Sequence, residues 1–157
     1  MRDSRTERTR AVAQDFLARL ADGDPHRIGE VFAEHLDWHI ADNPAVPWIR
    51  PRATRGDAVA HFAELAAHTV PEKATAEVTT LIVEDGEAVV TGRLGGTVRA
   101  TGTAFRSPFA VWMTVEDGLI TGFRVYEDSL AVALACTPDG PPHRASDSFK
   151  TLGRAPE

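Results

Sequence analysis

The chain has 157 residues, 43% of them hydrophobic and 25% charged, with a net charge of −6; that is the make-up of one globular domain with a full core. The negative charge, and arginines scattered rather than striped along one face, argue against a nucleic-acid partner. A single cysteine, Cys136, excludes an internal disulfide. No apolar run is long enough to span a membrane, and no signal-type core follows the charged start MRDSRTERTR, so a cytoplasmic protein is expected.

Residues 1–6 are polar and expected to fray. From about Glu7 to Ala21, Ala11, Val12, Phe16, Leu17 and Leu20 recur at helical spacing. Asp22-Gly23-Asp24-Pro25 ends that helix; Asp24 can cap the next one, which runs over Pro25–Ala33. Leu36–Ile40 alternates as a brief strand, and the proline-rich stretch Asp42–Thr54 is a loop carrying Trp48. Asp57–His68 reads as a third helix with a stripe of Val59, Phe62, Ala63, Leu65 and Ala66. Arg55-Gly56-Asp57 is read as its start.

After Pro71 the period falls from 3.6 to 2, which predicts strands over Thr75–Val83, Glu87–Ala100, Thr103–Val115 and Leu119–Tyr126. Gly92, Gly95 and Gly96 predict a bend or bulge in the second of these. Asp117-Gly118, between two apolar runs, is a strong hairpin signal because Gly reaches the positive φ that such turns need. Ser129–Cys136 closes the domain as a short helix capped by Asp128. The domain is expected over 1–136, and 137–157, with Pro138, Gly140, Pro141 and Pro142, reads as a flexible tail. Three helices, a short strand and a curled antiparallel meander make an α+β domain, a cone with helices over its concave face.

The motifs Phe16-Leu17, Leu20-Ala21-Asp22-Gly23-Asp24, Val31-Phe32-Ala33, Asp37-Trp38-His39-Ile40, Gly56-Asp57-Ala58-Val59 and Glu116-Asp117-Gly118-Leu119-Ile120, leading to Phe123-Arg124-Val125-Tyr126-Glu127-Asp128, resemble the nuclear transport factor 2-like superfamily. The likeness runs over about residues 9–135. Its nearest branch is that of the SnoaL-like polyketide cyclases, beside the limonene epoxide hydrolases and ketosteroid isomerases. The resemblance implies the cone fold, a homodimer formed through the convex sheet face, and a small-molecule substrate. No cofactor is expected, and His35 and His39, four apart on a strand entry with no acid-rich ligand set to join them, do not suit a zinc site. The hydrolases' Asp–Arg–Asp relay maps onto Gly95, Arg93 and Val125, so only the arginine is kept. The isomerases' base and two oxyanion donors map onto Ile40, Phe16 and Ala110, so none is kept.

If Arg93 faces the cone, as the resemblance implies, strand parity puts Thr91, Gly95 and Thr97 beside it and leaves Val90, Leu94 and Trp112 outside. The same parity turns Phe105, Phe109 and Met113 inward on one strand and Phe123, Val125 and Glu127 on the next, with Trp38 and Ile40 on the first. Asp42, Arg93 and Glu127 are the candidate catalytic charges of a largely apolar cavity. Asp42 or Glu127 could serve as a base, and Arg93 could hold an anionic oxygen or form a structural ion pair. Trp38 and Trp48 either stack on a flat ligand or pack the core and a dimer contact. His68 could carry a proton. The expected activity is cyclisation or isomerisation of an apolar, polyketide-type intermediate without a cofactor. Epoxide opening and a non-catalytic binding module stand as alternatives.

Overall fold

A computed structural model describes residues 2–138. The first helix, α1 (Arg2–Asp22), starts at the very beginning of the described chain rather than near Glu7. Its early turns are held from outside. Thr6 Oγ1 accepts from the Asp85 backbone N–H at 3.1 Å, and Thr9 Oγ1 donates to the Asp85 carbonyl at 2.6 Å. Asp24 caps α2 (Pro25–Gly29) by accepting from the His26 N–H, as expected. α2 is shorter than predicted, and the strand after it longer: β1 is Phe32–Ile40.

Helix α3 (Arg55–His68) begins at a capping box in which Thr54 Oγ1 accepts from the Asp57 N–H and the Asp57 carboxylate accepts from the Thr54 N–H. The strands β2 (Thr75–Glu84), β3 (Glu87–Thr97), β4 (Ala104–Glu116) and β5 (Leu119–Glu127) follow, then α4 (Ser129–Cys136), capped by Asp128. A single 3-10 turn, Pro71–Lys73, joins α3 to β2. Asp117 and Gly118 both have positive φ, 51° and 78°, as the β4–β5 hairpin requires. The tail expected over 137–157 lies, from residue 139 on, outside the described residues.

The five strands form one sheet in the order β1-β5-β4-β3-β2; β1 runs parallel to β5 and every other pairing is antiparallel. The bulge predicted for β3 lies instead in β2, between Val78 and Thr80. Gly92 faces it: a Cβ there would come within 1.9 Å of the Glu77 carbonyl oxygen, so the glycine is needed for the close approach of two backbones.

Register decides which face is which. Ala88 pairs with Met113, Val90 with Val111, Gly92 with Phe109 and Leu94 with Ser107. The even residues of β3 therefore point inward with the odd residues of β4. Val90 is 1% exposed and Leu94 packs on buried neighbours, so both are interior rather than convex. Arg93 pairs with Pro108 and is exposed on the outer face; the parity implied by the resemblance is out by one residue on this strand.

The core comes in two pieces. The larger joins α1, α2 and α3 to the sheet through Phe16, Phe32, Phe62 and Phe123, whose ring centroids lie 5.4–6.3 Å apart in edge-on or tilted contacts. The smaller sits toward α4 and joins Val46, Trp48, Val98, Phe105, Val132 and Ala135.

Candidate functional site

Glu127 is the last residue of β5. Register places it opposite Phe109, on the interior face that also carries Phe123 and Val125. Ile40 lies beside Val125 and Trp38 beside Phe123 on the parallel neighbour β1. Where β1 leaves the sheet, a cleft of about 120 Å³ opens, lined by His39, Ile40, Ala41, Val125, Tyr126, Glu127 and Ser129. Burial, and then the adjacent Asp128, push the Glu127 carboxyl above its ordinary range. Asp128 itself is spent on the α4 cap, accepting from the Ala131 N–H at 3.0 Å.

The turn that aims Glu127 is fixed by a buried hydroxyl. Ser107 Oγ accepts from the Asp128 N–H at 2.7 Å and donates to the Pro108 carbonyl at 2.6 Å. Asn43, from the proline-rich loop, donates to the Ser129 carbonyl at 2.9 Å and ties that loop to the start of α4. Among the described residues the Glu127 carboxylate has no hydrogen-bond or ion-pair partner. A carboxyl that is half-buried, unpartnered and shifted upward is a candidate for acid/base work.

A second polar group enters from α3. His61 is 5% exposed and meets Trp38 edge-on at 4.9 Å between centroids, while Trp38 stacks on Phe123 at 4.7 Å. Its Nδ1 lies 3.2 Å from the Trp48 carbonyl. A carbonyl can only accept, so Nδ1 carries the proton and Nε2 presents a bare lone pair. Burial, and then the Arg52 charge, lower the His61 pKa to about 4, so the ring is neutral. Arg52 donates to the same Trp48 carbonyl at 3.2 Å and pairs with Glu64, which also receives Arg50.

Sequence reasoning missed both His61 and Arg52. The predicted α3 stripe was rotated by about one residue: Ala58, His61 and Phe62 are buried, whereas Ala63 and Ala66 are exposed. His61 stands three residues from Ala58 and four from Leu65, and that spacing was the available signal. Arg52 carried none, being one charge in an irregular loop.

The other candidates are dispersed. Asp42 is exposed just past β1, and Arg93 is on the wrong face, so of the three candidate charges only Glu127 faces the interior. Trp38, Ile40, Phe109 and Val125 are half-buried on the inner face. Met113 and Phe123 are sealed in the larger core, and Trp48 and Phe105 in the smaller; the Phe105 ring lies over Gly96. Trp48 is therefore core packing rather than a rim aromatic. His68 is half-buried with its ring 6.3 Å from that of Trp48. Among the described residues no group of three or more His, Cys, Asp or Glu side chains could hold a metal, and no helix is long and apolar enough to cross a membrane.

A curled, mostly antiparallel five-stranded sheet with helices packed on it is the nuclear transport factor 2-like fold. The SnoaL-like domain model matches residues 13–123, and the chain belongs to that family. A search of curated proteins finds no match. Among solved structures, the chain is similar to a nuclear transport factor 2-like protein of Burkholderia thailandensis (24% identity, 83% of this chain and 98% of that one, TM-score 0.73). It is similar also to a SnoaL-like polyketide cyclase, so described, of Jannaschia sp. CCS1 (20%, 83% and 93%, TM-score 0.66). A limonene-epoxide-hydrolase-like protein of Mycobacterium tuberculosis is more distant (12%, 81% and 87%, TM-score 0.61). At these identities the likeness establishes the fold alone.

Proposed function

We propose that this protein is a cofactor-independent cyclase or isomerase of an apolar, polyketide-type small molecule, with Glu127 as the group that moves the proton. The observation that carries this reading is the Glu127 carboxyl itself: interior by register, unpartnered and lifted by burial in an apolar cleft. In its ionised form it takes a proton from carbon beside a carbonyl, and in its protonated form it returns that proton to the rearranged product. The apolar walls contribute by holding the two reacting ends together, which removes part of an entropic barrier.

Epoxide hydrolysis is less well supported. Its relay would need two acids where Gly95 and Val125 stand, and Arg93 points away from the cavity. The test is turnover by Glu127→Gln. A fall of about 10²-fold or more in kcat with little change in KM is expected for loss of an acid/base group. Unchanged turnover removes Glu127 from the mechanism, and no turnover by wild type of any intermediate that it binds favours a binding module.

The same reading includes a homodimer through the convex face, where Trp112, Tyr126 and Ile82 are exposed around the Arg124–Trp112 contact. Light scattering at monomer mass would refute that part.

A further inference from the structure

We propose that His39 is a second ligand contact in the Glu127 cleft, which holds one uncharged ring whose hydroxyl or enol oxygen meets that imidazole. The inference rests on the reading of Glu127 as the group that moves the proton. It adds the size and charge of the part of the substrate that enters, and the side chain that holds its oxygen.

The space comes from unequal strand ends. β1 stops at Ile40, opposite Val125, while its parallel neighbour β5 runs on to Glu127. That leaves a notch in the sheet edge, bordered by side chains of both parities. Ile40, Val125 and Glu127 belong to the inner face and His39 to the outer one, yet all four line the same cleft. His39 is exposed and Glu127 half-buried, so the cleft leads from solvent to the carboxyl. Among the described residues the His39 ring has no hydrogen-bond or ion-pair partner. Neighbouring polar groups are already occupied: Asp128 caps α4, and the Ser129 carbonyl accepts from Asn43.

Size and charge select the occupant. A cavity of about 150 Å³ takes one benzene ring. The cleft, about 120 Å³, therefore admits one ring and leaves the rest of a larger substrate outside. Ile40, Ala41 and Val125 supply its apolar walls. Among the described residues no lysine or arginine lines it, and Asp128 adjoins Glu127, so an anionic ligand would face carboxyls without a cation. A cation is no better matched, because the burial that lifts the Glu127 carboxyl favours its uncharged form. A neutral carbonyl compound suits both groups. Glu127, ionised, takes a proton from carbon beside the carbonyl; the C–H electron pair becomes the new C=C bond, and the carbonyl π pair moves onto oxygen. An imidazole N–H of His39 donates to that oxygen, and Glu127 returns the proton to carbon in the product.

Phenol stands in for the enol, toluene for the same ring without oxygen, and benzylammonium for a cationic ring. Phenol is expected to bind the wild-type protein saturably and more tightly than benzylammonium. It should also move the His39 side-chain signals in ¹⁵N NMR, where toluene does not. His39→Ala should weaken phenol about fivefold, the worth of one neutral hydrogen bond, and leave toluene unchanged. Ala41→Phe, a change at an exposed position that fills the cleft, should abolish binding of both. No saturable phenol binding, tighter binding of benzylammonium, an unmoved His39 signal, or phenol binding that survives Ala41→Phe would each overturn the proposal. So would a phenol affinity that is unchanged in His39→Ala, or weakened equally with that of toluene. If either variant fails to fold, the wild-type affinities and the His39 signals decide it. Glu127→Gln turnover is judged separately: phenol binding indifferent to His39 sinks this contact and leaves the Glu127 reading standing, while unchanged turnover in Glu127→Gln sinks that reading and leaves the measured His39 contact intact.

Discussion

Acidification should destabilise this protein through one buried ring, and the size of the effect follows from its surroundings. His61 has a folded pKa of about 4 against 6.5 for a free imidazole. The unfolded chain therefore binds the proton first, and between those values stability falls as pH falls. The full difference is worth about 3 kcal/mol, of which about 2 kcal/mol is lost between about pH 7.5 and about pH 5. Glu127 works the other way, since its raised pKa means that the stability it contributes is present at low pH and lost as pH rises. Comparing wild type with His61→Gln, which can still donate to the Trp48 carbonyl but does not titrate, cancels that term. Urea unfolding at the two pH values should show the wild-type advantage shrinking by about 2 kcal/mol on acidification. An advantage constant to within about 0.5 kcal/mol would refute a neutral, desolvated His61, because an exposed or ion-paired ring gives no such slope.

Three further outcomes follow from the geometry. Gly92→Ala sets a Cβ 1.9 Å from the Glu77 carbonyl oxygen, so the β2–β3 ladder must part; a loss of about 3 kcal/mol is expected, read as a drop in Tm of roughly 6–12 °C. Thr54→Ala removes the hydroxyl that accepts from the Asp57 N–H at the start of α3 and should cost about 1 kcal/mol in chemical denaturation. Arg93→Ala, on the outer face, should change stability by less than about 0.5 kcal/mol and leave turnover intact; a large loss of activity would mean that the cavity is reached from the other side of β3.

Much of this fold follows from local chemistry. Asp24 before Pro25, Thr54 ahead of Asp57, Asp117-Gly118 between apolar runs and Asp128 ahead of Ser129 each act within a few residues. A cap or a tight turn is determined by atoms close together in the chain, so the sequence alone locates it. The inward set on β4 and β5 came from the parity that the resemblance implies, and the β4–β5 register agrees with it.

What the sequence left open is whatever depends on two distant segments meeting. Arg93 lies in a strand whose glycines and small residues carry little phase information, and its outward side was settled only by pairing with β4 and by the bulge in β2. His61 acquired its protonation state only when the carbonyl of Trp48, thirteen residues away, met its Nδ1 and Trp38 packed against its ring. Glu127 could be named from the sequence, but the burial that lifts its carboxyl is a property of the closed cone. Chain-local rules decide where an element begins and which way it turns; the polarity and protonation of a cavity are decided by which walls exclude water from it, and walls exist only in the folded state.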